Sequence, residues 1–178
     1  MNQTHAIHQL TAQDRQGRQV FTHHDFATLF PEDNPRTLQA GLDRLVKNGV
    51  LMRAVSGVYV NALSAGGFTH TLENIAKAMR RGEYSYVSLE SALSEYGVIS
   101  QIPMRLTIMT TGRKGEVNTP FGTIEFTHTA RPVHDILDDL HDVGRPLRLA
   151  GKHKACRDLR RVGRNTELID EEVLHEDD

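Results

Sequence analysis

The sequence predicts an α+β protein with an N-terminal winged helix-turn-helix followed by a small α+β domain with antiparallel strands. Three observations lead to this fold class. Two short amphipathic helices are predicted between residues 22 and 49, two strand-like runs around a Ser-Gly turn follow at once, and helical and strand-like periodicities alternate in the rest of the chain. At 178 residues the chain can form two small domains, which we place at residues 1–63 and 70–165, with an acidic tail at 166–178.

The first helix of the pair is expected to begin at Thr22, a good N-cap, with Asp25 as the acidic partner of a capping box. Its inward face carries Phe26, Leu29 and Phe30. Pro31 ends it, because proline cannot continue a helix. Ahead of this helix, residues 3–13 are predicted as a further helix and residues 19–21 as a short strand that pairs with the wing.

The second helix of the pair begins at Asn34-Pro35, an N-cap followed by proline at the first helical position. A core-facing stripe follows at helical spacing, formed by Leu38, Leu42, Leu45 and Val46. Asn48-Gly49 closes the helix, since glycine can adopt the left-handed conformation. Strands at 51–55 and 58–61 then flank Ser56-Gly57, a hairpin signal.

Two short helices joined by a tight turn and followed by a β-ribbon are how a winged helix places one helix in a DNA groove. We therefore predict DNA binding by residues 22–61. The side chains expected to reach base edges lie near the start of the second helix: Arg36, Thr37, Gln39 and Ala40. The phosphate backbone is expected to meet Arg44, Lys47, Arg53 and Ser56. The alternative is a protein-docking winged helix, and Asp43 on the same flank counts slightly against DNA.

The second domain follows the linker 61–69. Helices are predicted at 72–79, 89–96, 133–140 and 152–162, and strands at 84–87, 105–111, 116–119 and 123–129. Ser88 is expected to cap the second of these helices. Cys156 is expected to be a core thiol rather than a reactive one.

A second basic surface is predicted near the C-terminus, formed by Arg145, Arg148, Lys152, Lys154, Arg157, Arg160, Arg161 and Arg164. Asp158 alone opposes this run, and the acidic tail follows it. Two interpretations stay open: a surface for nucleic acid or an acidic partner, or a solvated helix whose charges the tail balances. The last few residues are expected to be disordered.

No catalytic constellation or cofactor motif is found, so the chain is not expected to be an enzyme. One metal hypothesis is available: His134, Asp138 and His141 would share a face if residues 133–141 were one helix. A solvated polar helix face is the preferred interpretation, and no metal is expected. The net charge of −2 does not itself indicate a nucleic-acid partner. The sequence shows neither a signal peptide nor a membrane-spanning stretch, so we expect a soluble, cytoplasmic protein without membrane partners.

One stretch is more distinctive than the rest: Tyr86-Val87-Ser88-Leu89-Glu90-Ser91-Ala92-Leu93-Ser94-Glu95-Tyr96-Gly97-Val98-Ile99. With Pro103 and the strand 106–111 that follow, it resembles the AbiEi family, the antitoxins of type IV toxin–antitoxin (abortive infection) modules. The wing at 51–59 and the segment 119–128 look like further parts of that family, and the resemblance covers most of residues 15–142.

The resemblance implies a phage-defence antitoxin whose winged helix binds inverted repeats in its own promoter and represses the operon. It also implies a C-terminal domain that counteracts a nucleotidyltransferase-like toxin, without necessarily forming a stable complex. It transfers no catalytic residues. The competing hypothesis is a protein-interaction module that sequesters a partner through the basic helix at 152–164.

Overall fold

In the computed structural model, which describes residues 1–176, the chain is an α+β protein that divides into two compact units, Met1–Met79 and Arg80–Asp178. This boundary differs from the sequence prediction, which ended the first domain at residue 63. The expectation of disorder in the last few residues falls partly on 177–178, which lie outside the described residues.

The first unit begins with a helix and a short strand and ends with a helix after a β-hairpin. Its elements are α1 (Gln3–Asp14), β1 (Val20–Thr22), α2 (His23–Leu29), α3 (Pro35–Lys47), β2 (Leu51–Val55), β3 (Val58–Asn61) and α4 (Thr71–Met79). The three strands form an antiparallel sheet in the order β1-β3-β2. The predicted bounds of every element in residues 3–61 are confirmed to within about one residue.

The predicted helix ends are confirmed in atomic detail. The Thr22 hydroxyl accepts from the Asp25 amide (3.1 Å) and the Asp25 carboxylate accepts from the Thr22 amide (2.7 Å), which completes the capping box of α2. The Asn34 side chain accepts from the Thr37 amide (2.9 Å) at the start of α3. Gly49 takes φ +71° after α3, where a side chain would be strained.

One apolar cluster holds α1, α2, α3 and the sheet together. Its buried members are Ala6, Leu10, Phe21, Phe26, Phe30, Leu38, Leu42, Leu45, Val50, Leu51 and Tyr59. The Phe26 and Tyr59 rings meet edge to face at 5.8 Å, so that α2 is packed against the hairpin.

Helix α4 belongs to the first unit because it packs on β1. The side chain of Gln19, just before β1, donates to the Gly67 carbonyl and accepts from the Thr71 hydroxyl, both at 2.8 Å. Ile75 and Ala76 of α4 are fully buried. The predicted linker 61–69 therefore leads from the hairpin back to the same unit, which the local glycine run could not reveal.

The second unit is built around a six-stranded sheet in the order β6-β7-β5-β4-β9-β8. Its elements are β4 (Ser85–Val87), α5 (Leu89–Glu95), β5 (Arg105–Thr110), β6 (Gly115–Thr119), β7 (Gly122–His128), α6 (Val133–Leu137), β8 (Leu140–His141), β9 (Arg148–Ala150), α7 (Lys152–Val162), a 3-10 helix (Thr166–Leu168) and α8 (Glu171–His175). Helices α5 and α7 pack on each other.

The sheet is mixed rather than purely antiparallel, which corrects the sequence prediction. Strand β5 pairs with β7 in parallel, and β4 pairs with β9 in parallel. The parallel pairs join strands that are not consecutive in the chain, whereas periodicity indicates a strand but not its neighbour in the sheet. The predicted acidic tail is also corrected: α8 forms within it, and Leu174 is 2% exposed.

Candidate nucleic-acid interface

The predicted recognition flank of α3 is open to solvent. Burial of Leu38, Leu42 and Leu45 on one side of the helix turns the opposite side outward. The exposed residues of the flank are Arg36, Thr37, Ala40, Asp43, Arg44 and Lys47. Three of these six residues are cationic and one is acidic, so the flank carries a net positive charge that suits contact with the phosphates beside a DNA groove.

Gln39 is more constrained than the sequence predicted. It is half-buried, and its amide nitrogen donates to the Asp43 carboxylate at 2.9 Å and to the Tyr59 hydroxyl at 3.4 Å. Tyr59 lies on β3, so the contact links α3 to the hairpin. A base contact by Gln39 would have to replace these hydrogen bonds, which makes Arg36 and Thr37 the freer candidates for base readout.

Arg44 is held in place by the first residue of the chain. Its guanidinium donates to the Met1 carbonyl at 2.8 Å, and the Met1 ammonium pairs with Asp33 at 2.8 Å. The Met1 side chain lies over Gly41, where an added Cβ would be 2.6 Å from the Met1 Cε. This anchoring fixes the direction of the Arg44 guanidinium.

The hairpin presents the remaining candidates. Arg53 and Ser56 are exposed, and Arg53 pairs with Tyr59 in the register just before a bulge. The turn glycine, Gly57, has φ +75°, and its carbonyl accepts from the His23 amide at 2.9 Å. The turn is thereby tied to the start of α2, so its position relative to the helices is fixed.

The second basic surface is partly neutralised, because three of its eight residues, Arg145, Arg160 and Arg164, are paired with carboxylates. Arg160 pairs with Glu171, Arg145 with Glu95, and Lys152 donates to the Glu176 carbonyl. Arg164 bridges Glu90 and Glu125. The ion pair between Arg160 and Glu171 joins α7 to the acidic tail, as the second interpretation expects, whereas Glu90, Glu95 and Glu125 lie outside the tail.

Lys154 is a core residue, so its predicted place on the second basic surface is wrong. It is 1% exposed, its ammonium donates to the Asp135 carbonyl at 2.9 Å, and it lies 5.3 Å from the centre of the Tyr86 ring. Burial lowers its pKa, and Asp158 opposes this change. Lys154 is inward because it shares the face of α7 that carries Ala155 and Leu159.

Four members of the basic run are exposed, and three of them, Arg148, Arg157 and Arg161, lie outside the Arg160–Glu171 ion pair. None of the ion pairs found within residues 1–176 involves their side chains. Arg157 and Arg161 are four residues apart on α7 and therefore share a helix face.

A polar cluster that the sequence analysis missed lies inside the second unit. Asp158 is 1% exposed and accepts from the Tyr86 hydroxyl at 3.1 Å and from the Ser88 hydroxyl at 2.8 Å. Arg131 lies 3.4 Å from its other oxygen. Burial raises the pKa of Tyr86, and the negative charge of Asp158 raises it further. The sequence offered one signal for this cluster, which is that Asp158 is the only acidic residue within the basic run 145–164.

This cluster corrects the role predicted for Ser88. Ser88 stands at the N-cap position of α5, but its hydroxyl bonds Asp158 on α7 instead of capping the helix. Glu90, two residues on, is held by Arg164 and Asn165. The segment that carries the family resemblance thus connects α5 to the C-terminal part of the unit.

The helix-based metal hypothesis is wrong in its geometry. Helix α6 ends at Leu137, Asp138 is its C-cap, and His141 lies on β8. His134 contacts Asp135 and His141 contacts Asp139, each at 3.0 Å. In the described part of the chain no three His, Cys, Asp or Glu residues are grouped to hold a metal ion.

Cys156 is 1% exposed in the core, as predicted, and burial raises the pKa of its thiol.

Within residues 1–176 no helix combines the length and apolar character needed to cross a membrane.

The chain has no match among curated proteins. A family described as of unknown function (DUF6088) matches residues 6–145, a range that covers both the α3 flank and most of the second unit. The protein is therefore a member of the DUF6088 family.

Proposed function

We propose that the protein is a DNA-binding transcriptional autorepressor whose first unit works as a winged helix. Helix α3 would be the recognition helix and the β2–β3 hairpin the wing. The observation that carries the proposal is the exposed flank of α3, with three cations and one acid, beside a hairpin whose turn is hydrogen-bonded to α2. The element order and the β1-β3-β2 sheet are those expected of this class of domain.

The α3 flank would divide its work between bases and phosphates. Arg36 and Thr37 stand in the first turn of α3, where recognition helices meet base edges, and Arg can bond guanine in a bidentate manner. Arg44, Lys47 and Arg53 would neutralise phosphates and set the register on the duplex. The bound DNA would be inverted repeats in the protein's own promoter.

We also propose that the protein is the antitoxin of a type IV toxin–antitoxin module that counteracts a nucleotidyltransferase-like toxin. This part rests on the resemblance of residues 86–99 to the AbiEi family. A nucleotidyltransferase-like reading frame beside the gene, and loss of that protein's toxicity on co-expression, are the expected results. A neighbouring gene product that is harmless when expressed alone would contradict it.

The DNA-binding proposal is tested by fluorescence anisotropy on the DNA upstream of the gene. Arg36→Ala should weaken binding by about 1–3 kcal/mol and relax preference at one base pair, because a bidentate contact is lost. Lys47→Ala should mainly reduce the dependence of log K on log salt, by a slope of about 1, because one phosphate contact is lost.

Lys114→Ala is the matched control, since it removes one exposed positive charge from the second unit. It should bind the operator like the wild type. Equal affinity of the wild type and an Arg36→Ala/Gln39→Ala double variant would refute the assignment of α3 as the recognition helix.

A second candidate function, sequestration of a partner protein, is favoured by one exposed loop. Ile102 is 87% exposed and Met104 is 94% exposed, which is unusual for large apolar side chains that stand together. The contact would lie at this loop rather than at residues 152–164, where Lys154 is buried and Arg160 and Arg164 are paired. Co-purification with the neighbouring gene product that survives high salt would support this function, and separate elution would contradict it.

A further inference from the structure

A pair of adjoining cavities in the second unit shares two arginines. The first cavity, about 400 Å³, is lined by Thr127, Thr129, Arg131, Asp158 and Arg161 among others. The second, also about 400 Å³, is lined by Arg131, Asp135, Asp138, Arg157 and Arg161. Volumes of this size are those of small-ligand sites.

Arg131 is placed to serve both cavities. Its side chain is 15% exposed, and its one ion pair is the 3.4 Å contact with Asp158. Across the described residues its guanidinium donates no hydrogen bond, although it carries five N–H groups. Its unused donors face the cavities that Arg131 lines, where a ligand or water can accept from them.

Asp158 explains why Arg131 stays in this position. The Asp158 carboxylate is held by the Tyr86 and Ser88 hydroxyls on one oxygen, and the other oxygen faces Arg131. The guanidinium is therefore oriented by a rigid, buried partner before any ligand arrives. Such preorganisation reduces the cost of binding.

Arg161 supplies a second, independent cation. It lines both cavities, is exposed, and takes part in no ion pair within residues 1–176. Two arginines line the first cavity, with the Thr127 and Thr129 side chains beside them. Planar guanidinium groups donate paired hydrogen bonds to the oxygens of a tetrahedral phosphate, so this set of side chains suits a phosphate group. Two exposed carboxylates, Asp135 and Asp138, lie in the second cavity, whereas the one carboxylate of the first cavity, Asp158, is 1% exposed and paired with Arg131. The first cavity is therefore the better anion site.

We infer that the first cavity binds the phosphate group of a small ligand, with Arg131 and Arg161 as its direct contacts and Asp158 as the positioning residue for Arg131. The ligand chemistry is a phosphate or diphosphate, free or carried by a nucleotide. The site is separate from the α3 flank and does not depend on DNA binding.

The test is isothermal titration calorimetry of the full chain with inorganic phosphate, inorganic pyrophosphate, ATP and a short single-stranded oligonucleotide. Arg161→Ala should weaken binding of the small ligands by about tenfold or more, because a charge-assisted hydrogen bond is lost. Arg148→Ala, which removes another exposed and unpaired arginine of the same unit, should bind like the wild type. Arg161 is exposed, so its replacement should leave the fold intact.

The choice of titrated ligands distinguishes a free phosphate from one carried by a nucleotide. Pyrophosphate binding equal to ATP binding would assign a site for free oxyanions, and tighter ATP binding would assign a nucleotide site. Absence of heat with all three small ligands, binding of the oligonucleotide alone, or equal losses in Arg161→Ala and Arg148→Ala would overturn the proposal. Arg36→Ala should keep the affinity for the small ligands, so a failure here leaves operator binding untouched.

Discussion

At the residue scale, two buried carboxylates with different partners organise the second unit. Asp158 gathers Tyr86, Ser88 and Arg131. Glu90 is 9% exposed and accepts from Arg164 at 2.7 and 3.0 Å and from Asn165 at 3.0 Å. Burial of a carboxylate is tolerated only when hydrogen bonds replace those of water. Glu90 meets this condition at both oxygens, whereas Asp158 meets it at one oxygen and has the Arg131 charge 3.4 Å from the other.

The Glu90 contacts predict a pH-dependent stability. Burial by itself would raise the pKa of Glu90, but the hydrogen bonds from Arg164 and Asn165 outweigh it and hold the pKa below the ordinary value of 4.5. A lowered folded-state pKa means that ionised Glu90 stabilises the fold above pH 4.5. That contribution is lost as the pH falls through the folded-state pKa.

Glu90→Gln should therefore lower the free energy of unfolding by about 2 kcal/mol at neutral pH, and by progressively less in acid. Urea unfolding followed by circular dichroism over a series of pH values measures this difference. Glu167→Gln, at an exposed carboxylate of the 3-10 helix, is the control and should change little. A Glu90→Gln deficit that is the same at every pH would contradict the linkage.

At the element scale, the helix ends of the first unit fix how α3 is presented. The capping box at Thr22 starts α2, and Asn34 starts α3 five residues after α2 ends. Between them the chain has little freedom, because Phe30 and Leu38 on either side are buried in the same cluster. Local capping and shared burial together set the angle between the two helices.

Thr22→Ala should lower the free energy of unfolding by about 1 kcal/mol, because the Asp25 amide loses its side-chain acceptor. Chemical denaturation of the full chain measures the loss. Thr28→Ala, at an exposed position of the same helix, should shift stability by less than about 0.5 kcal/mol. Equal effects of the two substitutions would show that the capping bond contributes nothing specific.

At the scale of the whole molecule, the boundary between units follows packing rather than composition. The glycine-containing segment 64–67 is the most linker-like stretch, yet the Gln19 side chain bonds Gly67 within it and Thr71 beyond it. Helix α4 completes the first unit by covering β1. A domain therefore continues past the segment that most resembles its end.

A fragment of residues 1–79 should unfold cooperatively, and a fragment of residues 1–63 should be less stable by on the order of 2–4 kcal/mol. The shorter fragment loses the burial of Ile75 and Ala76 and both hydrogen bonds of the Gln19 side chain. Because the chain has no Trp, urea unfolding is followed by circular dichroism. Equal midpoints for the two fragments would place the boundary at residue 63 after all.

The sequence by itself determined the elements whose signals are local. Caps at Thr22 and Asn34, a left-handed glycine at Gly49 and the leucine stripe of α3 act within a few residues, so reading along the chain finds them. The polar flank of α3 followed directly, since it is the side that the stripe leaves outward. The resemblance at residues 86–99 was also visible in the sequence. The contacts that these residues make, such as the bond from Ser88 to Asp158, were not.

Only the tertiary structure decided which distant residues meet. The parallel pairing of β5 with β7, the burial of Lys154 and the gathering of Tyr86, Ser88 and Arg131 around Asp158 join residues up to 72 positions apart. A charged residue looks the same in sequence whether it is solvated, paired or buried. Whether the charged side chain is solvated or buried depends on the residues that pack around it in the fold, because burying a charge without a partner costs too much free energy.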